Sequence, residues 1–299
     1  MRKIRILGVP IGVAASRRGS ELGPSALRAA GLQEALSALG HEVIDAGDAD
    51  LRKFEELLAR EEIREGEPRY AGALASAMRS VSDTVARLDG DATVVSLGGD
   101  HSVSMGTVAG AAQSGSTGVI WVDAHADMNT PHTSPSQNVH GMPLAHLLGH
   151  GDERLLQALG DRPVLDPAHV VFIGLREVDP GERELIRRLG VRTFTLRDID
   201  ELGMFRVVTE TLQHLRDVER LHVSFDTDAL EPGIAPGVGT TSPGGLSYRE
   251  GHLLMELLAE SGRVTSLDMV EVNPLLDIRN RTAQTMVGMA ASLFGKSIL

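Results

Sequence analysis

Short β-branched apolar runs recur along this chain and alternate with segments of helical periodicity, and that alternation limits the fold more than any other feature. The runs cover residues 4–9, 42–45, 93–97, 119–122, 170–173, 191–194, 221–225 and 264–269. Strands that are apolar throughout belong to parallel sheets, because each crossover between parallel strands lays a helix on one face or the other and both faces become buried. Helical patterns start at Pro24, which suits a first helical position, and run over 70–88 and 248–260. The stretch 51–67 mixes both charge signs and reads as a solvated helix or an excursion. No repeat, low-complexity tract or linker interrupts the pattern. Residues 1–299 are therefore expected to form one α/β domain, a three-layer α/β/α arrangement around a mostly parallel sheet of roughly eight strands.

Composition removes several function classes. Acidic residues outnumber basic ones 41 to 29, a formal charge of -12, which argues against the electropositive face that nucleic-acid binding needs. Cysteine is absent, so disulfides, thiolate metal sites and cysteine nucleophiles are excluded and any metal must be held by nitrogen and oxygen. Only Lys3, Lys53 and Lys296 could form a Schiff base, and none sits in a chemical motif. Gly295-Lys296-Ser297 is not a phosphate loop, since Ala290 stands where its first glycine should be. The apolar start is punctuated by Gly8, Pro10 and Gly12, which suits a strand entering a loop better than a signal sequence. No run approaches membrane-spanning length, and the cytoplasm is the expected location.

The chemistry gathers where the runs stop. Asp100-His101 follows 93–97 through Gly98-Gly99, Asp123-Ala124-His125-Ala126-Asp127 follows 119–122, and Asp226-Thr227-Asp228 follows 221–225. Open parallel sheets bind ligands beyond the carboxyl ends of their strands. Residues two apart on extended backbone point the same way, so Asp123 is expected to aim with His125 and Asp226 with Asp228. A lone Asp-x-His or Asp-x-Asp after a strand is usually turn or capping chemistry, whereas three such fragments at three strand ends describe a site. Four carboxylates this close require cations. Two divalent ions balance Asp123, Asp127, Asp226 and Asp228, and a shared hydroxide leaves one negative charge, which suits a cationic substrate. Hard oxygen donors mixed with imidazole favour manganese over iron, cobalt or zinc.

Gly98-Gly99-Asp100-His101-Ser102, Asp123-Ala124-His125-Ala126-Asp127 and Ser224-Phe225-Asp226-Thr227-Asp228-Ala229-Leu230 resemble the three signatures of the manganese ureohydrolases, the family of arginase, agmatinase and formimidoylglutamase. The resemblance covers almost the whole chain and implies the arginase-like fold. It implies two manganese ions per subunit, with His101 and Asp127 on one, His125 and Asp228 on the other, and Asp123 and Asp226 bridging both. Within the family the loop 128–143 is closest to arginase. Asn129, Ser136 and Asn138 match the residues that hold the substrate α-carboxylate, Asp179 matches the receiver of the α-ammonium with Glu182 beside it, and Thr240 falls near the substrate.

The resemblance further assigns His140 to proton shuttling, Glu271 to holding the guanidinium, and Asp127 to protonating the departing amine. It implies hydrolysis of L-arginine to L-ornithine and urea by a hydroxide shared between the ions, in a homotrimer or homohexamer. His41, His132, His146, His150, His169, His214, His222 and His252 read as structural or surface residues. Gln137 stands where arginases usually carry glycine, so a backbone conformation that glutamine adopts only at a cost, and with it altered carboxylate recognition, is expected there. Glu177 replaces an aspartate of some relatives, Glu231 a common aspartate, and Thr241-Ser242-Pro243 a proline placed directly after the threonine. The alternatives are an agmatinase or formimidoylglutamase with the same metal site, or a non-catalytic metal-binding homologue. Metal stoichiometry without urea release would mark the last.

Overall fold

The protein is described here by a computed structural model covering residues 1–160 and 162–297. Eight strands form a single sheet: β1 (Lys3–Val9), β2 (Glu42–Asp48), β3 (Thr93–Gly98), β4 (Thr117–Val122), β5 (Val170–Leu175), β6 (Arg192–Thr195), β7 (Arg220–Asp226) and β8 (Val264–Val270). Their order is β2-β1-β3-β8-β7-β4-β5-β6, and every pairing is parallel. The expected mostly parallel sheet is wholly parallel.

Both faces of the sheet are buried along its six inner strands, which explains their apolar runs, while the edge strands β2 and β6 stay partly open to solvent. On one face Ile4, Ile6, Ile120, Val122, Val171, Ile173, Phe225 and Met269 share a core with the helices Leu32–Ser37, Met204–His214, Tyr248–Ser261 and Arg281–Leu293. On the other face Leu7, Val9 and Val94 meet Ala71–Asp89, while Trp121 and Phe172 meet Pro143–Leu147 and Pro180–Leu189. No helix among the described residues is long and apolar enough to cross a membrane.

The helical reading from Pro24 onward divides in two, at Gly23–Ala29 and Leu32–Ser37, because Gly31 takes φ 85° between them. The stretch 51–67 is helical only over Arg52–Leu58. Ser104–Ala112 carried no helical signature because eight of its nine residues are buried, leaving no polar stripe to set a period.

The four central strands, β3, β8, β7 and β4, deliver the chemistry to the carboxyl edge of the sheet. There the chain leaving β3 runs hard against the chain leaving β1: Gly99 N donates to Val9 O at 3.0 Å and Asp100 N to Ile11 O at 2.7 Å. A Cβ at Gly99 would fall 1.7 Å from Ile11 O, so only glycine permits this approach.

Candidate metal centre

Each ligand motif begins where a strand ends. Asp226 closes β7 and caps the short 3-10 turn Thr227–Ala229 by accepting from Asp228 N, which turns Asp228 back toward β4. Asp123 follows β4 and accepts from His125 N at 2.7 Å, fixing the first bend of that loop. Asp100 is fully buried behind its neighbour His101, where its carboxylate accepts from Ala14 N and Ser102 N. Sequence reading assigned Asp100 no task. Its task is to stitch the loop after β1 to the loop after β3.

The side chains converge as the sequence pattern requires. His101 Nδ1 lies 2.9 Å from Asp226 Oδ2, 3.0 Å from Asp127 Oδ2 and 3.1 Å from Asp123 Oδ2. His125 Nδ1 lies 2.9 Å from Asp228 Oδ2 and 3.7 Å from Asp123 Oδ1. Two groups can each close on a cation, His101 with Asp123 and Asp226, and Asp123 with His125 and Asp228, sharing Asp123. His101 Nδ1 and Asp127 Oδ2 are buried without a properly directed hydrogen bond. One imidazole proton cannot serve three carboxylates, whereas a divalent cation among these donors satisfies all of them, so the residues fit a metal.

Electrostatics agree. Burial, with the charges of Asp228 and Asp123, pushes the Asp226 carboxyl well up, and burial and Asp123 push Asp228 up to about 6. Burial opposes the charged form of His101, but Asp127, Asp123 and Asp226 hold its imidazole well above the usual range. Such a cluster is under repulsive strain until positive charge enters it.

Around the cluster lies a cavity of about 180 Å³, lined by His101, His125, Asp127, Asp226 and Asp228 on one side and by Asn129, His140, Asp179, Glu182, Thr240 and Glu271 on the other. Asp123 is fully buried beneath it. Glu271 Oε1 accepts from His101 N at 2.9 Å and faces His140 Nδ1 at 3.1 Å. Burial disfavours charge on His140, yet the hydrogen bond and charge of Glu271 raise it to about 9. Asp127 and Glu271 both hold left-handed backbone, φ 53° and 62°, a conformation that non-glycine residues keep only where the surroundings impose it.

The substrate-side residues divide. Asn129 Nδ2 donates to Asp179 Oδ2 at 2.9 Å, so these two form one polar wall. Glu182 reaches the cavity with both oxygens already engaged, by Met128 N at 3.0 Å and by Asp179 N at 2.8 Å, as the capping box of Pro180–Leu189. Burial raises it to about 7. Ser136 and Asn138 are joined to each other through Asn138 N and Ser136 Oγ at 3.2 Å, and neither is among the residues lining the cavity.

Several supporting residues escaped sequence reading. Trp121 stacks on His101 with ring centroids 4.2 Å apart and donates from Nε1 to Asp123 Oδ2 at 3.0 Å. The signal was present: Trp121 precedes Asp123 by two residues on extended backbone and so shares its side of the sheet. Arg176 donates to Asp228 O at 2.6 Å and to Ser242 O at 2.7 Å, clamping three loops together. Glu177, noted in the sequence only as a replacement for an aspartate of some relatives, stands close to His125 with Oε2 3.2 Å from Nε2 and lines the cavity.

Fold and site together define the class: metal-dependent enzymes built on an open parallel α/β sheet, with the metal at the carboxyl edge of the central strands. The model of the arginase family matches residues 2–295. The arginase of Bacillus caldovelox is 46% identical over 303 residues, with 100% of each chain covered, and that of Bacillus subtilis is 44% identical over 301 residues, with 100% and 99% covered. The solved Bacillus caldovelox arginase superposes with a TM-score of 0.94 at 45% identity, covering 100% of both chains. This chain belongs to the arginase family.

Proposed function

We infer that this protein hydrolyses the guanidinium group of L-arginine, giving L-ornithine and urea. The observation that carries the reading is the meeting, in one cavity, of the imidazole and carboxylate cluster with Glu271, in a chain 46% identical to an arginase over its full length. The proposal includes two manganese ions per chain, one catalytic domain over residues 1–299, and assembly into trimers or hexamers. His101 and Asp127 would hold one ion, His125 and Asp228 the other, with Asp123 and Asp226 shared. When bound, the ions supply an ionised water as nucleophile near neutral pH.

The chain's own residues do the rest. Glu271 faces the guanidinium, a planar cation that stays charged at any working pH and pairs best with a carboxylate. Its backbone geometry and the bond from His101 N fix its carboxylate, so the reacting carbon is held in one place. Asp127, within reach of the metal cluster, passes a proton to the departing amine. His140 beside Glu271 exchanges protons between the cavity and solvent. Asp179 meets the α-ammonium, Glu182 holds Asp179 in place as well as bordering the site, Asn129 with Ser136 and Asn138 of the same loop meets the α-carboxylate, and Thr240 borders the substrate.

Manganese-loaded protein given L-arginine, agmatine and formimidoylglutamate side by side tests this reading. Urea from L-arginine alone is expected. Preferential turnover of agmatine would refute the assignment of Asn129, Ser136, Asn138 and Asp179 to the amino-acid end.

A further inference from the structure

A row of buried polar side chains runs behind the metal centre, away from the cavity. Asp268 on β8 is fully buried, and its register places it beside Ser224 on β7. Its Oδ2 accepts from Ser104 Oγ at 2.9 Å and from Thr107 Oγ1, and lies 3.1 Å from His222 Nε2. Ser104 Oγ and Ser224 Oγ are 3.1 Å apart, and Ser224 Oγ is 2.9 Å from His101 Nε2. Ser104, Ser224 and His101 are each no more than 1% exposed, so water does not compete for these bonds.

The directions of these bonds follow from counting protons. Burial disfavours an ionised Asp268, but His222 and the two hydroxyl donors hold its carboxyl below the usual range, and an ionised carboxylate only accepts. Ser104 has one hydroxyl proton and gives it to Asp268. It can then only accept from Ser224. Ser224 spends its one proton on Ser104, and can then only accept from His101. His101 must therefore keep a proton on Nε2.

We propose that Asp268 is a positioning residue that acts through Ser104 and Ser224 to fix the proton of His101 on Nε2, leaving Nδ1 as the nitrogen that binds metal. The inference rests on the metal-centre reading above and adds to it a polarity set three side chains from the ion. Neutral imidazole binds metal through the nitrogen that lacks the proton, so a group that decides the tautomer decides whether the ligand is ready. Thr107 donates to the same carboxylate but lies off the path to His101, which makes it the internal control.

The test uses full-length, metal-stripped protein titrated with Mn²⁺ against a fluorescent chelator, together with ¹⁵N-histidine spectra of the Zn²⁺-loaded form. Ser104→Ala, which breaks the relay without touching a ligand, is expected to weaken the binding of one ion about tenfold. Asp268→Asn keeps an acceptor oxygen and is expected to lose less than Asp268→Ala. Thr107→Val is expected to lower thermal stability while leaving both Mn²⁺ affinities as they were. In wild type, His101 Nε2 is expected to carry the proton and Nδ1 the metal shift. Unchanged Mn²⁺ affinity in Ser104→Ala, equal weakening in Thr107→Val, or an unprotonated Nε2 would each overturn the relay. Failure of wild type itself to bind Mn²⁺ would instead refute the metal-centre reading.

Discussion

Gln137 stands at a position whose backbone favours glycine, and the structure shows what the side chain supplies in exchange. Its φ is 58°, in the left-handed region, while its Nε2 donates to Pro131 O and to Ser134 O at 2.9 Å each. Its backbone carbonyl accepts from Arg69 N at 2.9 Å. The conformational penalty for a side chain in that region is about 1 to 2 kcal/mol, comparable with what two neutral hydrogen bonds contribute. Gln137→Gly relieves the first and removes the second, and it also gains freedom in the unfolded chain. We expect a stability loss of about 1 kcal/mol in denaturant titrations. We also expect KM for L-arginine to rise several-fold with kcat little changed, because the loop that carries Ser136 and Asn138 loses its tether. A higher kcat with unaltered KM would show that the tether does not serve substrate binding.

Among the elements, the two short helices Pro143–Leu147 and Glu153–Leu159 are joined by one buried imidazole. His146 donates from Nδ1 to Met142 O at 2.8 Å and accepts at Nε2 from Asp152 N at 2.9 Å, so both nitrogens are satisfied only in the neutral form. Burial lowers its pKa from 6.5. For a base with a depressed folded value, the unfolded chain binds the proton first. The stabilisation is complete above 6.5 and drains away as pH falls toward the folded value. The melting temperature of metal-free wild type should exceed that of His146→Gln at about pH 8, and the gap should close toward about pH 5. A gap that widens on acidification would contradict the assignment. Elements were the scale at which sequence read best: the six inner strands were visible because they are buried on both faces and carry apolar runs, while the exposed edge strands β2 and β6 showed only through short β-branched segments such as Val43-Ile44. Ser104–Ala112 was not visible because full enclosure erased its periodicity, and the break at Gly31 left no mark in an otherwise helical pattern. The convergence of His101, Asp123, His125, Asp127, Asp226 and Asp228 was legible because strand ends in such a sheet share one edge. Asp100 and the Ser224–Asp268 relay were not, since each is defined by a partner from another element that periodicity along one strand cannot name, and Trp121 was legible only in its offset from Asp123, not in its stacking on His101.

At the scale of the whole molecule, the strand order explains why the site exists. The four central strands carry the clustered imidazoles and carboxylates and Glu271, so the carboxylates are packed where solvent screens them least and the rest of the sheet braces them from both sides. A core this complete can hold Asp123, Asp226 and Asp228 together at a repulsive cost that binding of cations removes. Metal binding and folding stability should therefore rise together. The most direct test is to strip the enzyme of metal and titrate it with Mn²⁺ while following bound metal and urea release from L-arginine in the same samples. Activity is predicted to climb with occupancy and level off near two ions per chain, and Asp123→Ala, which removes the carboxylate common to both groups, is predicted to give neither tight binding nor urea. Urea release that persists undiminished in the stripped enzyme would contradict the account.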